Sequence, residues 1–183
     1  GAYVAYIGAG EHAVKLRVLG VQELGPGTTG AVRLFLPAAL PLLPGDRFVL
    51  RESGRDETVG GGEVLDIDPV LRASRAAPDR SVERLVRERG WLTVDQIEQL
   101  TGEVVDPVIG EWVTTSESLA ELGAAIVERV DEAGPAGLDL AAFDERERAV
   151  LPTLDAVVVS NGLVQPADAV DPYEDHPALA DLL

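Results

Sequence analysis

From Ala13 to Leu19 the chain reads AVKLRVL, with Val14, Leu16 and Val18 alternating against Lys15 and Arg17. A period of two marks a half-buried strand, because successive side chains point to opposite faces. The signal recurs in AYVAYI (2–7), GAVRLFL (30–36), RFVLRES (47–53) and EVLDI (63–67); in the second of these Val32, Leu34 and Leu36 share a side. Turn-forming groups separate the segments: Gly8-Ala9-Gly10, Gly25-Pro26-Gly27, Pro44-Gly45-Asp46 and Ser53-Gly54-Arg55. No helical period interrupts residues 1–70. Short strands at this spacing predict a sandwich or a small antiparallel β-barrel.

The pattern then changes. PVLRASRAAPDR (69–80) has little apolar periodicity and reads as a linker over 71–80. From Ser81, Val82, Leu85 and Val86 fall at helical spacing, with Gly90 placed to end the helix. Thr93 and Gln96 have capping-box spacing, Val94, Ile97 and Leu100 form an apolar side, and Gly102 follows. VIGEWV (108–113) returns to strand type. A third helix is predicted from about Ser116, with Thr114 and Glu117 as its capping box and Leu119, Leu122, Ile126 and Val130 as its stripe. Leu138, Leu140 and Phe143 predict a short helix. A longer one is predicted over 145–160, closed by Asn161-Gly162 before a short strand, LVQP (163–166). Helix, glycine, leucine, polar cap and helix occur twice, at 82–101 and from about 119 to 143. The plan is that of winged-helix modules, the first reduced. The expected order is β-barrel 1–70, linker 71–80, reduced winged helix 81–115, winged helix 116–170, and a tail or further segment 171–183.

Gly60-Gly61-Gly62 raises the question of a phosphate loop. Such a loop needs G-x-x-x-x-G-K-[ST]. Here Glu63 follows, and the only lysine in the chain is Lys15. Glycine within a strand instead marks a bulge or a close backbone approach. Two histidines, His12 and His176, lack neighbouring ligands at metal-binding spacing, and there is no cysteine and no G-x-S-x-G elbow. No catalytic, metal or cofactor site is expected within the chain.

The net charge of −17 is uneven. Residues 1–76 hold eight basic against nine acidic residues, and residues 77–183 hold seven against twenty-three. Lys and Arg supply phosphate contacts, so the second half makes a poor nucleic-acid surface and the first half stays open as one. No apolar run approaches the roughly 18 residues of a membrane span. A start at Gly1, inside a strand-like segment, and the lack of methionine lead us to expect a piece of a longer protein, and the absence of cysteine fits a cytoplasmic one.

PLLPGDRFVLRESGRDETVGGGEVLD (41–66) resembles the last β-barrel of translational GTPases of the elongation factor Tu class. There an arginine-phenylalanine strand, an R-E-x-G-R loop and a T-V-G-x-G strand follow in this order. The form ending G-G-G-x-V-L-D is similar to the selenocysteine-specific elongation factors. YIGAGEHAVKLRVLG (6–20) also matches that barrel, with Tyr6 where the family often has histidine. The acidic second half agrees with the winged-helix extension that follows it.

The resemblance implies a non-catalytic part of a factor that carries selenocysteyl-tRNA to the ribosome. GTP and magnesium would belong to a G domain outside this chain, and that G domain and a second barrel would be partners of this one. The loop matching Arg51-Glu52-Ser53-Gly54-Arg55 lies against the T-stem backbone in the family, with the two arginines on phosphates and Glu52 and Ser53 near the ribose 2′-OH. His12, Lys15 and Arg17 would extend that basic face. Ser53 stands where many relatives have glycine, and Asp56-Glu57 lengthen the loop. The helical modules would act as a spacer arm towards messenger-hairpin-binding domains, with no membrane or direct DNA contact. From the residues alone two readings stay open. Arg51 and Arg55 also suit an edge strand guarded against aggregation, and the acidic half also suits a regulatory protein-interaction module.

Overall fold

The alternating segments become five strands in the computed structural model, which describes residues 2–55 and 57–169. The chain divides into two units between Asp106 and Pro107. In the first, β1 (Tyr3–Ile7), β2 (Gly10–Val18), β3 (Val32–Phe35), β4 (Arg47–Glu52) and β5 (Glu57–Glu63) form one antiparallel sheet in the order β3-β2-β1-β4-β5. One face carries the core. Ala5, Ile7, Val14 and Leu50 are buried, with Tyr3, Leu16, Leu34, Leu36, Leu42 and Phe48 packed against them.

Two expectations change here. The last strand lies on ETVGGGE, not on EVLDI, so the glycine run is inside it. And the sheet is open and curled, not a closed barrel: β3 and β5 are its two edges. The reason is visible in the strands. β5 is exposed along its whole length, and its three glycines offer no side chain to bury against a closing partner.

The glycines serve close approach. The β4–β5 register shifts between Leu50 and Arg51, a bulge that bends the pair. A Cβ on Gly61 would sit 2.9 Å from the Phe48 carbonyl oxygen, and one on Gly62 would sit 3.0 Å from the Phe48 ring. After Gly62 the chain continues as extended backbone. Val64 N–H donates to the Asp46 carbonyl at 2.8 Å, and Gly45 N–H donates to that of Val64 at 2.7 Å. No helix follows to present its amino end to a phosphate.

The segment after β5 is pinned by arginines. Arg33 Nη2 donates to the Leu71 carbonyl (2.8 Å), Arg80 Nη2 to that of Thr101 (3.1 Å), and Arg89 to the Asp68 carboxylate (3.3 Å) and carbonyl. Arg84 is buried. Its Nη1 donates to Asp66 Oδ2 and Glu88 Oε2, both at 2.9 Å; its Nε donates to Asp79 Oδ1 at 3.1 Å and its Nη2 to the Asp79 carbonyl at 2.8 Å. Burial works against the Arg84 charge, but the hydrogen bond to Asp66 and the charges of Asp66 and Glu88 more than offset it, so its pKa lies above the ordinary value. Burial likewise opposes the Asp79 charge, and hydrogen bonds from Ser81 and Arg84 hold its pKa below the usual range.

The helices begin where predicted. α1 (Val82–Arg89) is capped by Ser81 and stops at Gly90. A short strand, β6 (Trp91–Thr93), leads into α2 (Val94–Thr101), whose Thr93–Gln96 capping box is complete and which ends at left-handed Gly102. Leu85, Val86, Leu92, Ile97 and Leu100 are buried.

The second unit opens with β7 (Trp112–Thr114). Only the end of VIGEWV is strand, because Val108 and Ile109 turn back and donate to the Trp112 carbonyl. α3 (Ser116–Ala133) is capped by Thr115, not Thr114: its hydroxyl accepts from Ser118 N–H at 3.1 Å. The predicted helix at 138–143 is instead β8 (Leu138–Asp139) and a single 3-10 turn.

α4 (Glu145–Val150) is much shorter than the predicted 145–160. Pro152 has no N–H to continue the ladder, and the β-branched run Val157-Val158-Val159 goes into β9 (Val157–Ser160). Asn161 and Gly162, both at positive φ, make a hairpin turn to β10 (Leu163–Pro166). Asp144 caps α4. The hydrogen bond from Arg146, then the backbone N–H of Glu147, hold its carboxyl below the usual range.

The three strands form a sheet in the order β8-β10-β9, and Ile126, Val130, Phe143, Val150 and Val164 are buried in this unit. The Arg129 guanidinium lies 4.5 Å over the Phe143 ring and pairs with Glu147 at 2.9 Å. The expected β part followed by an α+β part is therefore present. The segment 171–183, with His176, lies outside the described residues.

Candidate nucleic-acid interface

Strand pairing decides which cations share a face, because residues directly opposite in an antiparallel pair point the same way. Arg51 is opposite Val4, and Val4 is opposite Ala13. Ala13 shares its side of β2 with Lys15 and Arg17 by the period of two. Lys15 is opposite Phe35, and Arg17 opposite Arg33. Arg47, opposite Glu63, has the same phase as Arg51 up to the bulge. The face away from the apolar core therefore carries Lys15, Arg17, Arg33, Arg47 and Arg51 against only Glu11 and Glu63.

Not every predicted residue joins them. His12 is opposite Ala5, which is opposite Leu50, so it lies on the apolar side, with its ring over Gly10. Glu52 is opposite Tyr3 and also lies on that side. Arg33 and Arg47 were not singled out from the sequence. Their signal was the alternation itself: Arg33 falls between Val32 and Leu34, two residues of the buried stripe.

The β4–β5 hairpin projects the rest. Ser53 N–H donates to the Ala2 carbonyl at 3.0 Å, and Arg55 N–H to that of Glu52 at 3.3 Å. Ser53, Gly54 and Arg55 are exposed, and Arg51 and Glu52 are half-buried. Arg55 Nε stands 3.9 Å from Glu52 Oε2 with its side chain 74% exposed, a pairing too loose and too wet to fix it. A Cβ at Gly54 would meet nothing within 4 Å, so the chain itself leaves open space there. Asp56 lies outside the described residues.

Among the described residues, no cluster of three or more His, Cys, Asp or Glu is arranged to hold a metal ion. No helix among them is long and apolar enough to cross a membrane. Within the second unit, residues 107–169 carry three basic against twelve acidic side chains, the reverse of the outer sheet face.

Residues 4–70 match the family described as the β-barrel domain of selenocysteine-specific elongation factor. Among solved structures, a bacterial selenocysteine-specific elongation factor is similar at a TM-score of 0.63 and 17% identity. That likeness covers 99% of this chain and 34% of the other, so this chain spans about a third of that protein's length. No curated protein sequence matches.

Proposed function

We propose, from the premise that residues 4–70 match the β-barrel domain of selenocysteine-specific elongation factors, that this unit supplies part of an aminoacyl-tRNA surface, the cargo being selenocysteyl-tRNA. The observation that carries this is the charge of the outer sheet face, five cations against two carboxylates in a chain of net −17. Arg51 and Arg55 neutralise phosphates at the hairpin, and the open space beside Gly54 admits a sugar–phosphate strand. Lys15 and Arg17 belong to the same surface. His12 and Glu52 lie on the apolar side and do not line the face. This role involves no catalysis. GTP, magnesium and the G domain, like a second barrel and the ribosomal contacts, belong to a cytoplasmic parent factor.

The helical segments act as a spacer built from two winged helices, the first reduced. The order α3, β8, α4, β9, β10, with a tight Asn-Gly hairpin, supports that plan in the second copy. Its acidity keeps it off RNA and also favours a second reading, a module that binds a basic partner protein.

The test is titration of the chain with selenocysteyl-tRNA across a range of salt. The double variant Arg51→Ala, Arg55→Ala is expected to bind more weakly, with the slope of log affinity against log salt flatter by about two, one for each lost phosphate contact. Unchanged affinity and slope would leave the protein-binding reading standing alone.

A further inference from the structure

The outer face has an end that the hairpin does not explain. Phe35, on β3, is 49% exposed, although a phenylalanine has no polar atom to satisfy in water. Directly opposite it is Lys15, and the next pair on that side is Arg17 opposite Arg33. Like charges directly opposite across a ladder destabilise a sheet. Arg33 is nevertheless held there by its bond to the Leu71 carbonyl. Guarding an edge accounts only for β3: β2 is an internal strand, so Lys15 and Arg17 protect no edge. Neither has an acidic partner among the described residues.

We propose that the β2–β3 end of the outer face is a second RNA subsite, in which Phe35 stacks on an unpaired base while Lys15 and Arg17 hold the flanking phosphates. An exposed ring set among cations is the arrangement that binds single strands, because every base presents a π-face and a duplex has already spent its own on its neighbours. Cations alone would serve duplex and single strand alike. β2 and β4 are separated by β1, so Arg51 stands about 10 Å from the Lys15 row, and the two subsites are separable by mutation. The proposal rests on the RNA-facing reading of this face but not on the hairpin. The partner chemistry is the loop or free end of an RNA, where bases are unstacked.

The experiment titrates the chain against two labelled probes, a short oligouridylate and a blunt RNA duplex, by fluorescence anisotropy. Phe35→Leu is expected to weaken oligouridylate binding about tenfold and to leave duplex binding unchanged. Phe35→Tyr restores it, because the ring and not the apolar bulk is what the base needs. Arg17→Glu weakens both probes. The pair Arg51→Ala, Arg55→Ala weakens the duplex more than the oligouridylate. The subsite is overturned if Phe35→Leu matches the wild type, if Phe35→Tyr is no better than Phe35→Leu, or if the wild-type chain does not bind oligouridylate. A Phe35 effect that persists while the hairpin pair changes nothing removes the hairpin reading alone; the reverse removes this one alone.

Discussion

Replacing Arg84 by methionine lowers the stability of the first unit by about 3–5 kcal/mol, the range for breaking a buried ion cluster on one side. The side chain of Asp66 is 6% exposed and that of Glu88 11%, and both rely on Arg84 Nη1. Methionine fills much the same volume, so the cost arises from two carboxylates left without a positive charge in a desolvated place. It follows that the triple variant Arg84→Met, Asp66→Asn, Glu88→Gln recovers most of the loss, since it removes the uncompensated charges. The chain has two tryptophans, Trp91 in the first unit and Trp112 in the second. In a Trp112→Phe background, urea unfolding followed at Trp91 reports the first unit. A single variant as stable as the wild type would mean that the cluster contributes nothing; a triple variant no better than the single would mean that packing, not charge, is at stake.

Gly137→Ala is expected to lower the stability of the second unit by roughly 3 kcal/mol. Gly137 has φ +66, and an added Cβ would fall 2.6 Å from the Val164 carbonyl oxygen and 2.5 Å from Gln165 Cγ. Two penalties combine, an extended backbone at positive φ (φ +66, ψ −171) that is open in practice only to glycine, at about 1–3 kcal/mol, and an overpacked contact at about 1–3 kcal/mol. Gln165 is not free to swing aside without cost, because its Nε2 donates to the Pro135 carbonyl at 2.7 Å. The clash falls where β8 pairs with β10, Leu138 opposite Val164. Gly134 is the control. It has φ +64 but nothing within 4 Å of the added carbon, so Gly134→Ala carries only the backbone penalty. Unfolding followed at Trp112 in a Trp91→Phe background separates the two, and an equal loss in both variants would refute the steric part.

Much of the fold was legible because local signals and tertiary packing agree. Val14, Leu16 and Val18 alternate in a strand that buries one face, and Thr93 with Gln96 caps the helix they announce. The failures share a cause: patterns that two structures satisfy. Val150, Leu151, Leu154, Val157 and Val158 fit a helical stripe, yet Pro152 breaks the ladder and the valines prefer a sheet. Thr114 and Thr115 are both capping residues, and only the backbone decides which hydroxyl meets Ser118. Barrel closure was not legible either, since it depends on whether β5 has side chains to bury, and a run of glycines has none.

The candidate site was half legible. Arg51 and Arg55 follow from the hairpin pattern. That Lys15 and Arg17 share a face with Arg51 while His12 does not depends on register, which joins residues far apart in the chain. Arg33 is not legible as part of the face, because a single cation between apolar residues carries no sign of what lies opposite it. Its partner Arg17 is brought opposite only by the β2–β3 pairing.

On the proposed function, the hairpin at 53–55 lies against a tRNA backbone. A photoreactive side chain placed at Ser53, and separately at exposed Glu117 on acidic α3, tests it with selenocysteyl-tRNA under light. A crosslink is expected from position 53, mapping to the double-stranded T-stem and fading as salt rises, and none from position 117. A crosslink from position 117 with none from position 53 would rule out this placement of the hairpin.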